Sequence, residues 1–201
     1  MISIARLLLF FVITMGYNAF FRNTVKMNRS LTWVFTFSVI TLVLYLGSLL
    51  GFMLQTVYAI SVLGCLLSLY YLWAVWKKKY RFGRLDYIAL GMMAYLLLFG
   101  ITLWHSPLLH YDNFTHWATI VKFFHINNAL PTQQDTIISY YTYPVGSSLF
   151  IYFFTTIVGF SEGSMLVGQF FLIASSLYAM FAALRDDRRV LMVSMIFASF
   201  A

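Results

Sequence analysis

Long apolar runs recur along this chain at 4 to 21, 31 to 54, 57 to 76, 85 to 104, 145 to 160 and 164 to 184. At 1.5 Å per residue, a helix of about 20 residues crosses a hydrocarbon core of roughly 30 Å. A backbone in hydrocarbon must satisfy its own hydrogen bonds, so such runs fold as helices. With 62% hydrophobic and 9% charged residues, the chain could not cover the surface of a soluble domain of 201 residues. The predicted fold is all-α: one polytopic transmembrane helix bundle over 1–201, with an external loop at 105–144 that carries a short interfacial amphipathic helix. A seventh apolar run starts at Val190 and stops at Ala201, too short to span, so the chain is expected to be truncated at its C-terminus.

The formal net charge of +7 does not point to nucleic acid, because the cations sit between apolar runs. Arg22, Lys26 and Arg29 form one group; Lys77, Lys78, Lys79, Arg81 and Arg84 form another. The positive-inside rule assigns both to the cytoplasm. The 105–144 loop, whose sole cation among Lys and Arg is Lys122, then faces outward. The expected location is a bacterial cytoplasmic membrane. Two complete crossings after Pro144 would put Arg185, Arg188 and Arg189 outside, against the rule; either 145–160 does not cross completely or the fold tolerates an external basic turn. No cleavage site follows the first run, which reads as a membrane helix and not a signal peptide. Cys65 has no internal partner for a disulfide. Gly47 and Gly51 have the spacing of a helix-packing face.

The external loop holds all four histidines and all three prolines. Asp112 is placed to cap a helix running to about His125. Phe114, Trp117, Ala118, Val121 and Phe124 would form its apolar stripe, with Asn113, His116, Thr119 and Lys122 toward the other side. Asp112 and His116, four apart, would be surface neighbours. Pro131 breaks the helix, and Pro144 suits the first turn of the next one. His105, His110, His116 and His125 lack the spacing of a helical metal motif, and no zinc site is predicted from them. Nucleophile elbows and phosphate-binding glycine loops are absent from the sequence, which removes support for hydrolase and NTPase readings.

Three elements together resemble the GT-C glycosyltransferases over roughly residues 85–201. An acidic residue opens the first large external loop and is followed by an aromatic and a histidine, as in Asp112-Asn113-Phe114-Thr115-His116. Tyr143-Pro144-Val145-Gly146 is similar to the Tyr-Pro-Pro-Gly element that opens the next membrane helix. Gly159-Phe160-Ser161-Glu162 resembles the Gly-x-x-Glu turn between the two following helices. The resemblance implies transfer of a sugar from a polyprenyl-phosphate-linked donor to a glycan, lipid or protein acceptor on the outer face. In that role Asp112 would be the catalytic base, and Asn113, His116, Lys122 and Tyr143 would bind substrate. The family's frequent Asp-Glu pair is Asp112-Asn113 here, which leaves a second-carboxylate or divalent-metal role open and implies no other cofactor.

Membrane lipid is the other expected partner. The alternatives are a transporter, flippase or polysaccharide-assembly protein without covalent chemistry, or an inactive fragment. Transporters place charged groups near the bilayer midplane, whereas the ionisable candidates here lie in an external loop.

Overall fold

The computed structural model describes residues 4–80, 87–135, 138 and 141–183. These form a helical membrane protein: α1 (Ile4–Asn23), α2 (Thr32–Leu49), α3 (Met53–Trp76), α4 (Tyr87–Trp104), a π-helical turn (Asn113–Trp117) leading into α5 (Ala118–Asn127), α6 (Gly146–Val158) and α7 (Glu162–Ala183). Four of them, α1, α2, α3 and α7, are long and apolar enough to cross a membrane; the apolar stretch of α4 is slightly shorter. The seventh run and Arg185, Arg188 and Arg189 lie outside the described residues.

The helices cross closely where side chains are small. A Cβ on Gly16 of α1 would stand 2.1 Å from the Gly64 carbonyl oxygen of α3, so only hydrogen fits at that crossing. The Tyr17 hydroxyl donates to the Ile60 carbonyl at 2.8 Å beside it. The predicted Gly47/Gly51 face divides into two separate jobs. Gly47 lets α2 approach Thr56 of α3, whereas Gly51, at φ +79, makes the turn between those helices.

Phe10 of α1 is fully buried at the centre of an aromatic core. Phe154 of α6 meets it edge-on at 4.8 Å and Phe171 of α7 stacks on it at 5.7 Å. Phe37 of α2 lies 4.7 Å from Phe150 of α6. Helix α6 is thus held inside the protein by aromatic packing, with nine of its thirteen residues buried.

The two ends of the bundle can be followed through contacts. At the basic end, Thr24 hydrogen-bonds Tyr71, Phe21 packs on Phe35, and Trp33 packs on the cluster of Ala89, Met92, Ala174 and Tyr178. At the opposite end, α4 finishes where α7 begins. A Cβ on Gly163 would lie 2.0 Å from the Trp104 carbonyl oxygen, and the Leu108 N–H donates to Glu162 Oε2 at 2.9 Å.

It follows that the chain between Trp104 and Glu162 returns to the end it started from and makes no net crossing. Helix α6, at thirteen residues, rises only about 20 Å. It enters beside the middle of α2, where Gly146 is next to Thr41, and leaves at the loop end. Of the two alternatives that the sequence left open, the structure takes the first: 145–160 does not cross completely, and α6 is a buried helix that starts within the bundle. Helix α7 consequently runs back to the basic end, and the conflict with the positive-inside rule disappears for the end of α7.

Candidate functional site

The loop starts where α7 is capped. Ser161 and Ser164 satisfy each other's N–H groups, with the Ser161 N–H donating to Ser164 Oγ at 2.9 Å and the Ser164 N–H to Ser161 Oγ at 3.1 Å. Glu162 in the first turn suits the positive helix end and also anchors Leu108.

Asp112 does not cap a helix. Its backbone is already helical, at φ −62 and ψ −22, and its carboxylate makes no capping hydrogen bond. Asp112 Oδ2 instead lies 3.4 Å from His110 Nδ1, with both side chains exposed. The Asp112 N–H also points at that nitrogen, at 3.3 Å. One proton decides between the two contacts. Neutral His110 can accept the N–H through its lone pair, whereas the imidazolium faces the carboxylate. Such an exposed pair is worth at most about 1 kcal/mol.

The next turn is π-helical: the Ala118 N–H donates to Asn113 O, five residues back, and Thr119 Oγ1 donates to the Phe114 carbonyl at 2.6 Å. This wider turn alters the expected phase. Phe114, assigned to the apolar stripe, is 59% exposed, while Ile120, Val121, Phe123 and Phe124 are buried. The His116 ring stacks on Tyr143, with centroids 5.2 Å apart and planes 18° apart. Asn113 is half-buried, and Lys122 is exposed with no ion pair among the described residues.

Tyr143 lines a cleft of about 750 Å³ between α2 and the segment leading into α6. Ser38, Thr41, Leu42 and Tyr45 make the α2 wall, and Pro131, Tyr141 and Pro144 contribute to the other side. From Ser38 to Tyr45 the wall rises about 10 Å along a membrane-crossing helix, so the cleft extends to hydrocarbon depth. Its lining is mainly apolar with a few hydroxyls.

His125 fixes the far end of α5. The Thr155 hydroxyl donates to the Ile151 carbonyl at 2.8 Å, which leaves Thr155 Oγ1 as acceptor for His125 Nε2, also at 2.8 Å. The ring is therefore the Nε2–H tautomer. It rests on Tyr152 at 4.9 Å and Phe160 at 4.7 Å, and burial pushes its pKa down to about 4. Beside it the Tyr152 hydroxyl donates to Asn128 Oδ1 at 2.8 Å, and Asn128 ends α5 in the left-handed conformation at φ 49.

Two of the sequence-selected residues, His116 and Tyr143, are in contact, and Asp112 lies one turn before them. The sequence reading missed His110, two residues before Asp112, and His125, whose partner is thirty positions away. Among the described residues, no group of three His, Cys, Asp or Glu side chains could hold a metal ion. Among the described residues Asp112 has His110 as its one ion-pairing neighbour, and this pair does not fit a divalent ion. Searches against protein-family models, curated proteins and solved structures returned no match to the chain.

Proposed function

We propose that this chain acts as a membrane glycosyltransferase, in a bacterial cytoplasmic membrane, that moves a sugar from a polyprenyl-phosphate-linked donor to a glycan, lipid or protein acceptor on the external face. The supporting observation is the Tyr143–His116 stack at a cleft that reaches hydrocarbon depth, one turn from the exposed carboxylate of Asp112. A lipid-linked sugar needs both environments: an apolar wall for its chain and a polar boundary for its phosphate and the incoming acceptor.

In this reading Asp112 accepts the proton of the acceptor hydroxyl as its oxygen attacks the anomeric carbon. The bond from that carbon to the phosphate oxygen breaks, and its electron pair leaves with the polyprenyl phosphate. His116, positioned by Tyr143, meets the phosphate, and Lys122 supplies a cation for it. Asn113 orients the sugar or acceptor through its amide. None of these steps uses a metal ion.

The test is release of free polyprenyl phosphate from a labelled lipid-linked sugar in proteoliposomes. Asp112→Asn should reduce release by at least about 100-fold, the scale of general base catalysis, with no change in membrane level. Tyr143→Phe keeps the ring contact and should retain more activity than Tyr143→Ala. Full release by Asp112→Asn removes that residue from the mechanism, while movement of the intact donor across the bilayer without release favours a flippase.

A further inference from the structure

Among the described residues, no helix lies against one face of α7. Its other sides are occupied: Phe170 packs on Tyr95 of α4 at 5.1 Å, while Gly168 and Phe171 meet Phe154 of α6. Away from these contacts run Glu162, Leu166, Gln169, Ile173, Ser176 and Met180, at successive steps of four and three residues. Leu166 is half-buried and the others are exposed. This line has the spacing of a left-handed helix-packing seam.

Gln169 is the unusual residue in it. Lying seven residues along α7 from Glu162, it is about 10 Å from the loop end and within the apolar zone. Hydroxyls on the outer surfaces of the membrane helices bond back to their own backbone, as Ser38 does to Val34, Thr102 to Leu98 and Ser176 to Leu172. The Gln169 amide makes no hydrogen bond among the described residues. An unpaired amide facing lipid is costly, and it favours contact with another helix that can satisfy both its donor and its acceptor.

We propose that this face of α7 is the contact surface for a second copy of the same chain, with the two Gln169 amides paired across a two-fold axis. A two-fold places the same group opposite itself at the same depth, and an amide carries both halves of a reciprocal hydrogen bond. Ile173 and Met180 then pack below the amides and Leu166 above them, with the small Ser176 allowing the helices to approach. Glu162 stays at the aqueous edge, where its carboxylate already accepts the Leu108 N–H.

The test is cysteine cross-linking of the full chain in native membranes on a Cys65→Ala background. Ile173→Cys and Met180→Cys should give an oxidised dimer of twice the chain mass, and Leu66→Cys, on the lipid side of α3 and 58% exposed, should not. Adding Gln169→Leu to Ile173→Cys should cut the dimer about three- to tenfold. The thermal stability of the detergent-extracted chain should stay unchanged, because the substituted side chain is exposed. Cross-linking at the seam no greater than at Leu66→Cys overturns the proposal. So does a yield unaffected by Gln169→Leu, or a product joined to a protein of different mass.

Discussion

Replacing Gly163 with alanine adds one methyl group, yet it should separate the two helices that define the loop end. The new Cβ would stand 2.0 Å from the Trp104 carbonyl oxygen and 2.6 Å from its carbon. Both are backbone atoms of α4, so no flexible side chain can yield. Overpacking of this kind costs about 1 to 3 kcal/mol, and rigid neighbours place it at the upper end. Shifting α7 also stretches the hydrogen bond from Leu108 N–H to Glu162, a charge-assisted bond worth roughly 1.5 to 3 kcal/mol. The combined loss, about 4 to 6 kcal/mol, lowers the unfolding midpoint of the detergent-solubilised protein by about 10 to 20 °C. Gly91→Ala is the internal control, since a Cβ there meets nothing within 4 Å, and helix propensity should make it neutral or slightly stabilising. Equal midpoints for the two variants would refute the close contact between α4 and α7.

His125 gives the protein an acid sensitivity whose sign follows from its burial. Its pKa is lowered from the ordinary value near 6.5 to about 4, so the stability held by the neutral ring is fully present above about pH 6.5 and declines as pH falls toward 4. Partial exposure limits this loss to the order of 2 kcal/mol, and a midpoint-versus-pH series should show it flattened in His125→Gln. Tyr152→Phe, which removes the hydroxyl donor to Asn128, should cost about 1 kcal/mol in chemical denaturation. Asn128→Val should cost more, because it loses the same bond and also forces a β-branched residue into φ 49.

The crossing helices were legible because their constraint is one-dimensional. A run long enough for the bilayer becomes a helix, and α1, α2, α3 and α7 begin and end within a few residues of the expected limits, apart from the Gly51 turn that divides α2 from α3 earlier than expected. An incomplete crossing by α6 was one of two alternatives raised by the basic turn at 185–189, but nothing in the sequence chose between them. Continuous apolar sequence is the signature of a lipid-facing helix and equally of one enclosed by protein, and Phe150, Phe153 and Phe154 face other helices. Of the candidate site, the sequence carried only the local spacing, with Asp112 and His116 four residues apart. The π turn was missed because an ordinary helical period was assumed. The contacts of His116 with Tyr143 and of His125 with Thr155 join positions far apart in sequence, and only the fold brings them together.

The return of the 105–161 segment to its starting face is what places Asp112, His116 and Tyr143 together at one membrane boundary, and sidedness tests it directly. Single cysteines at Leu109, Lys78 and Arg188 in a Cys65→Ala background can be labelled with a membrane-impermeant maleimide, in intact cells and in inverted vesicles. Leu109→Cys, at a position 83% exposed in the loop, should react only in intact cells, while Lys78→Cys and Arg188→Cys should both react only in inverted vesicles. Labelling of Arg188→Cys from the same side as Leu109→Cys would mean that α6 crosses the membrane, contradicting the arrangement on which the proposed site depends.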